Sequence, residues 1–212
     1  MNLEEFRRDY LQGGLRRNDL PPHPLTLFAE WQQQAIASGL LDPTAMVLAT
    51  ADASGQPSQR IVLLKNVDEH GFVFYTNYNS RKASDIADNQ QVSLLFPWHV
   101  MERQVRIHGR AEKVSKLESA KYFATRPHES QLAAWASDQS AKLESREALL
   151  NQLANTRERF GENEVPLPEF WGGYRVVPHE MEFWQGGGNR LHDRFQYVLQ
   201  QSGLWEIARL AP

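Results

Sequence analysis

The chain is 212 residues long and 41% hydrophobic, with a generous aromatic supply, which suffices for one domain with a sizeable core. It has no cysteine, which excludes disulfides, Cys-zinc sites and thiol nucleophiles and suits a reducing cytoplasm. A formal net charge of -3, an acidic start and no run of about 18 apolar residues point away from nucleic acid, a signal peptide and a membrane span, so any phosphate must be recognised by local Arg and Lys clusters.

Residues 3–10 fit a short helix with acids in its first turn and arginines after them, ended by Gly13 and Gly14. Residues 1–23 read either as a hinged flap or as a frayed terminus, ahead of a single domain at 24–212. From Pro24 to about Leu40 the spacing is helical, with Leu25, Phe28, Trp31, Ala35 and Leu40 as the apolar side and Gly39 near the stop. The period then falls to 2. Strands are expected at 45–50, 59–65, 72–77, 91–98 and 103–111, with turns at 53–57 and 68–71. Short strands joined by tight turns indicate an antiparallel meander or barrel, and no glycine-rich phosphate loop follows any of them.

Ser80 is a fitting N-cap for a short helix whose first turn carries Arg81 and Lys82. Two cations there are unfavourable alone and sensible if an anion uses both them and the free backbone N–H groups. Solvated charge is the alternative. Arg60 would add a fork of donors to the same anion. Gln104 is either a satisfied core amide or a polar edge for a bound ring. Residues 116–125 and 130–136 are helical, interrupted at Arg126-Pro127. Tyr122, Arg126 and Ser130, four apart, would share a face as a second phosphate cup, unless they are unrelated surface groups. A polar loop at 137–140, a charged helix at 143–160, an extended connector at 164–173 and a strand at 174–178 follow, and a hairpin at 195–208 closes the chain.

Met181-Glu182-Phe183-Trp184-Gln185 alternates like a strand before three glycines, which imply a tight turn or close backbone approach to something bound. In an extended continuation Arg190, His192 and Arg194 project from one face, with Leu191, Asp193 and Phe195 on the other. Such cations repel unless something anionic or electron-rich lies between them. A solvated strand edge is the alternative, weakened by the glycines and by Trp184, which form a crevice with an aromatic wall.

Glu182-Phe183-Trp184-Gln185, four spacer positions and Arg190-Leu191-His192-Asp193-Arg194 resemble the signature of the pyridoxine/pyridoxamine 5'-phosphate oxidase family. Agreement extends through Gly13-Gly14-Leu15-Arg16, Arg60-Ile61-Val62-Leu63-Leu64-Lys65, Ser80-Arg81-Lys82, Leu94-Leu95-Phe96-Pro97-Trp98, Gln139-Ser140 and Pro166-Leu167-Pro168. The resemblance implies an α+β fold, a split β-barrel of antiparallel strands with surrounding helices, and a cytoplasmic homodimer with FMN at the subunit interface and no metal. Carried over position by position, the FMN contacts are Arg60, Ile61, Val62, Leu63, Leu64, Lys65, Tyr75, Thr76, Arg81, Lys82 and Gln104, with Gln139 and Ser140 from the other subunit, and Trp184 and Arg194. Lys65, Tyr122, Arg126 and Ser130 would hold a substrate phosphate. Arg190, Leu191 and His192 would lie against the substrate ring, with Arg7, Arg8, Asp9 and Tyr10 closing over it.

The reaction this implies oxidises the 4' carbon of pyridoxine or pyridoxamine 5'-phosphate to give pyridoxal 5'-phosphate. Hydride passes to flavin N5 and O2 reoxidises the flavin to give H2O2. Arg190 would offset developing negative charge, and His192, ahead of Asp42, is the best titratable candidate for the substrate proton. Two other functions stay open. One is a split-barrel flavin oxidase for a different aromatic ring, against which the second phosphate cup argues. The other is a flavin or pyridoxal-phosphate carrier without turnover.

Overall fold

Helix α1, Pro24–Ala37, begins where His23 is extended and its Nδ1 accepts the Leu25 N–H, with Pro24 in the first turn, where a missing N–H costs nothing. It buries Leu27, Phe28, Trp31 and Ala35, while Leu25 and Leu40 pack only partly against the core. The computed structural model describes residues 9, 10 and 13–212. Residues 3–8 of the expected first helix, Arg7 and Arg8 among them, lie outside the described residues, and Asp9 and Tyr10 are not helical. Leu15 and Leu20 are buried in the main core, so the segment read as a flap to residue 23 is anchored from Leu15 onward.

Among the described residues, nine strands form one antiparallel sheet: β1 (Ala45–Ala51), β2 (Pro57–Leu63), β3 (Asn66–Asp68), β4 (Gly71–Asn77), β5 (Gln91–Trp98), β6 (Arg103–Lys113), β7 (Trp171–Gln185), β8 (Asp193–Leu199) and β9 (Trp205–Leu210). The order is β2-β1-β5-β6-β7-β4-β3, with β8 on β7 and β9 on β8. The long strand β7 pairs with β6 from Tyr174 to Gln185, with β4 over its first half and with β8 over its second. The sheet curls until β1 and β4 are bridged by Leu64, whose N–H donates to Thr44 O at 2.9 Å, and Lys65, whose N–H donates to Val73 O at 2.8 Å. This curled half-barrel with surrounding helices is the expected α+β class.

Helix α1 fills the barrel. The Phe28 ring lies 4.9 Å from both Phe72 and Phe96, and Trp31 stands 5.3 Å from Phe183. A second, smaller core of Phe123, Leu132, Val165 and Trp171 sits with α3 (Lys116–Ala124), α4 (His128–Ala136) and α5 (Arg146–Phe160). Helix α2 (Arg81–Asp88) follows β4 directly.

The structure departs from the expected elements at several points. The strand expected at 59–65 ends at Leu63, and 66–68 form β3, whose hairpin to β4 needs Gly71 at φ 130, where a Cβ would lie 2.1 Å from Val176 O. The charged helix starts at Arg146 rather than 143, because Ser145 Oγ accepts the Ala148 N–H at 3.0 Å. Part of the expected connector and both segments after it merge into β7. Pro178 is tolerated there because a register shift at His108/Gly109 falls beside it. The largest departure follows β7. Gln185 pairs with Asp193, so residues 186–192 must reverse the chain, which they do through a 3-10 turn, Gly188–Arg190, with Asn189 at φ 52 and Arg190 at φ 63. Arg190, His192 and Arg194 therefore do not project from one extended face. The space beside the glycines is taken by the chain itself: a Cβ would lie 2.6 Å from the Tyr10 ring at Gly186 and 2.2 Å from Leu191 O at Gly187. Among the described residues no helix is long and apolar enough to cross a membrane.

Phe28 is 0% exposed, and its ring meets those of Phe72, Phe96 and Trp98. Phe28→Ala is expected to lower unfolding free energy by about 3–5 kcal/mol in denaturant titration with an unchanged m-value. A loss below about 1 kcal/mol would show that the plug is not load-carrying.

Candidate functional site

A cavity of about 1000 Å³ opens between β2, β4, the start of α2, the α3–α4 junction and the loop after α4. That is the upper end of the range for small-molecule sites, room for more than one ring system. At one end Arg60 Nη1 donates to Thr50 Oγ1 at 2.7 Å and Nη2 to Ser58 Oγ at 2.8 Å. Its guanidinium also lies 3.7 Å from the buried Asp85 carboxylate, which accepts the Thr50 hydroxyl at 2.6 Å and stands 4.0 Å from Arg81 Nε. Asp85 thus braces both arginines from behind.

Lys82 turns inward from the first turn of α2 and is 9% exposed. Its Nζ donates to Gln139 Oε1 at 2.8 Å, Thr76 Oγ1 at 3.1 Å and Ser80 Oγ at 3.2 Å, all neutral oxygens. Burial, followed by the nearby Arg60 charge, pushes its pKa down from 10.5 to about 8. Ser80 holds the N-cap position, but its hydroxyl donates back to Asn77 O at 2.7 Å and does not cap the helix. The Arg81 N–H instead donates to Ser140 Oγ at 3.3 Å.

At the other end Tyr122, Arg126 and Ser130 line the same cavity despite the break at Pro127. Among the described residues Arg126 Nη1 is buried without a hydrogen-bond acceptor. Burial lowers the pKa of this guanidinium, whose carbon lies 4.7 Å from the Trp171 ring centroid. Tyr75 stacks on Tyr122 at 4.0 Å, both nearly parallel to Trp171. Burial, with Glu118 adding to it, raises the Tyr75 pKa to about 12, so it stays a neutral phenol. An ammonium on neutral oxygens and a buried N–H without an acceptor both suit an oxyanion, one at each end.

A second cluster lies on another part of the chain. Gln104, Trp184 and Arg194 are paired in one row across β6, β7 and β8, so their side chains share the face opposite the buried Val105, Phe183 and Phe195. The Trp184 ring lies 4.6 Å from His192, and Tyr10 meets both edge-on at 5.7 and 5.3 Å. Arg194 Nε donates to Glu182 Oε1 at 2.9 Å and Arg106 Nη2 to Glu182 Oε2 at 2.6 Å. Removing either arginine would leave part of the buried Glu182 carboxylate without a partner. The Gly187 N–H donates to His192 Nδ1 at 3.1 Å, so a neutral His192 carries its proton on Nε2. Arg190 and Leu191 are exposed on the turn.

Of the residues singled out from sequence, the cavity collects Arg60, Ile61, Val62, Leu63, Lys65, Tyr75, Thr76, Arg81, Lys82, Tyr122, Arg126, Ser130, Gln139 and Ser140. Leu64 is not among them; it is 4% exposed in the barrel core, because alternation along the strand turns it inward. Gln104, Trp184, Arg190, Leu191, His192, Arg194, Asp9 and Tyr10 do not line the cavity either. Gln139 and Ser140, expected from a second subunit, already stand on this chain's own cavity, because the loop after α4 folds back onto α2. Sequence reasoning missed Asp85, Glu182 and Trp171. Asp85 carried a signal, its i, i+4 spacing from Arg81; Glu182 carried a weaker one, as an acid between inward positions; Trp171 carried none.

The family model described as pyridoxamine 5'-phosphate oxidase matches residues 32–159, more than half of the chain. The chain belongs to the pyridoxamine 5'-phosphate oxidase family. A second model of that family, described as the pyridoxine 5'-phosphate oxidase C-terminal dimerisation region, matches residues 171–212, which contain Trp184, Arg190, His192 and Arg194. Proteins named pyridoxine/pyridoxamine 5'-phosphate oxidase from Teredinibacter turnerae and Photobacterium profundum are 62% and 57% identical over 212 residues, covering 100% of both chains in each case. Among solved structures, PhzG from Burkholderia lata in complex with tetrahydrophenazine-1-carboxylic acid matches with a TM-score of 0.88 at 32% identity over 93% of this chain and 98% of that one. A pyridoxamine 5'-phosphate oxidase-related, FMN binding protein from Nostoc punctiforme shares the fold, with a TM-score of 0.73 at 15% identity over 91% of this chain and 100% of that one.

Lys82 sets a pH dependence. Its folded pKa lies below its ordinary value, so the charged form costs stability below pH 8, and that cost is relieved as pH rises from about 8 toward 10.5. A bound oxyanion favours the charged form, so affinity for inorganic phosphate is expected to fall as pH rises through about 8. Lys82→Gln should weaken binding and flatten that fall in titration calorimetry. A wild-type affinity constant from about pH 7 to about 9.5 would rule Lys82 out as the anion's partner.

Proposed function

We propose that the protein is an FMN-dependent pyridoxine/pyridoxamine 5'-phosphate oxidase, with pyridoxal 5'-phosphate as product, O2 as electron acceptor and a site completed by a second copy of the chain. The observation that carries this is that one cavity holds two cationic groups with no anion beside them, Lys82 on neutral oxygens only and Arg126 with a buried N–H lacking an acceptor, together with the stacked rings of Tyr75, Tyr122 and Trp171. A flat phosphorylated cofactor lying against a flat phosphorylated substrate meets both. The names of the full-length relatives and the matched dimerisation region support the same assignment.

Trp171 stands in the cavity wall, and Trp184 lies thirteen residues further along the same strand, about 40 Å of extended chain at roughly 3.3 Å per residue. The groups on the row of Gln104, Trp184 and Arg194 therefore reach a ligand in the cavity most simply from a partner chain in a two-fold dimer. In this arrangement Arg60, Arg81 and Lys82 hold the FMN phosphate, with Thr76, Gln139 and Ser140 around it and Ile61, Val62, Leu63 and Tyr75 beside the ring. Gln104, Trp184 and Arg194 approach from the partner. Lys65, Tyr122, Arg126 and Ser130 take the substrate phosphate, and Arg190, Leu191 and His192, on the partner's turn next to that row, meet the substrate ring under Arg7, Arg8, Asp9 and Tyr10. A cytoplasmic location fits the absence of cysteine.

Bound FMN supplies the acceptor for hydride from the substrate's 4' carbon and the reaction with O2. The chain supplies position and charge. Holding cofactor and substrate in one cavity would spare them a further encounter, a positioning effect worth several kcal/mol. Arg190, kept at φ 63 where non-glycine residues are strained, offers a planar cation at the ring's polar edge. With His192 Nδ1 accepting from the Gly187 N–H, the Nε2–H is left to donate a hydrogen bond, so His192 orients the substrate and is a poor acceptor for the substrate proton.

Purified protein should be yellow and bleach when pyridoxine 5'-phosphate is added without air, then recover its colour in air. A yellow protein that never bleaches would be a carrier, and a colourless one that takes up no FMN would end the proposal. Arg190→Leu should keep its flavin and lose most turnover. Mixed with Arg126→Gln and allowed to exchange subunits, it should recover about a quarter of wild-type activity, since each mixed dimer rebuilds one intact site of two. No recovery would mean that a single chain carries the whole site.

A further inference from the structure

We infer that Trp171 is the positioning residue for phosphate selection, holding Arg126 so that its N–H edge meets a phosphate monoester; this rests on the assignment of Arg126 to the substrate phosphate. Trp171 is 8% exposed and opens β7, opposite Asn77 of β4, so its indole is fixed by the sheet. The Phe123 ring braces it edge-on at 5.1 Å. A guanidinium lying against an aromatic face gives that face to the ring and keeps its in-plane donors for an acceptor. Arg126 has this relation to Trp171, with 4.7 Å between guanidinium carbon and ring centroid, and its Nη1 is buried without an acceptor.

The same indole aligns the phenol of the cup. Tyr122 lies nearly parallel to it, 6° between planes at 6.2 Å, and Tyr75, stacked on Tyr122, lies at 8° and 5.4 Å. Without this surface a long arginine side chain regains its other rotamers, and the tyrosine loses one of the two planes that fix its hydroxyl. The effect falls on recognition of the phosphate and spares whatever the rest of the substrate contributes.

The test compares Trp171→Leu and Trp171→Phe, as flavin-loaded proteins, in kcat/KM for pyridoxine 5'-phosphate and for pyridoxine and in inhibition by inorganic phosphate, with Arg126→Gln as reference. Trp171→Leu should lower the preference for the phosphorylated substrate about tenfold or more and raise Ki for phosphate in step, while Trp171→Phe, which keeps a smaller ring, loses about threefold. Where pyridoxine gives no turnover, the change in Ki decides. Where Trp171→Leu fails to load flavin, Trp171→Phe decides by the same measures. Equal loss on both substrates, or an unchanged preference and Ki in a protein whose Arg126→Gln variant loses both, overturns the role of Trp171. If Arg126→Gln itself changes neither, the phosphate cup is misassigned and the role falls with it.

Discussion

A cation removed from water and given only neutral oxygens is the constraint on which the site depends. Lys82 has three such acceptors, and Arg126 has a buried N–H with none. Burying either is costly unless an anion arrives. The sheet meets part of that cost through rigid placement: Thr76 is buried near the end of β4, Ser80 precedes α2, and the loop after α4 brings Gln139 onto the same ammonium. Asp85 does the corresponding work for Arg60 and Arg81. It offsets the repulsion between two guanidiniums that line the same cavity.

Strand β7 connects this constraint to assembly. Its first residue enters the cavity wall among Tyr75, Tyr122 and Arg126, and its far half carries Glu182 and Trp184 toward β8. One strand cannot fold back on itself, so in the proposed assembly the two ends meet a single ligand from two copies of the chain. The buried Glu182 then gains a purpose beyond this chain. By holding Arg106 and Arg194 together it fixes the guanidinium of Arg194 beside Trp184 on that face.

Much of the architecture was legible because burial writes itself into period. Alternation marked the strands, the spacing of Phe28, Trp31 and Ala35 marked α1, and the cationic groups stood out where helix and strand positions gave them no local partner. The errors fell where backbone geometry overrides spacing. Arg190, His192 and Arg194 look like one face only if the chain stays extended, but the Gln185 to Asp193 pairing forces a reversal between them. Leu64 belongs to a run of expected contacts yet turns inward with the pleat. Trp171 was invisible because its neighbours in sequence are a connector, while its neighbours in space are Tyr75, Tyr122, Phe123 and Arg126.

By itself the sequence determined which residue types were available and where the chain had to be helix or strand: those are local properties of spacing, charge and turn chemistry. It also carried the signature run and the two groups of cations. Only the tertiary structure decided which of these share a cavity, that Gln139 and Ser140 line their own chain's cavity, and that the signature row faces elsewhere. The reason is physical: proximity across a curled sheet is set by strand order and register, which bring together residues such as Thr50 and Asp85, 35 positions apart, that no periodicity relates.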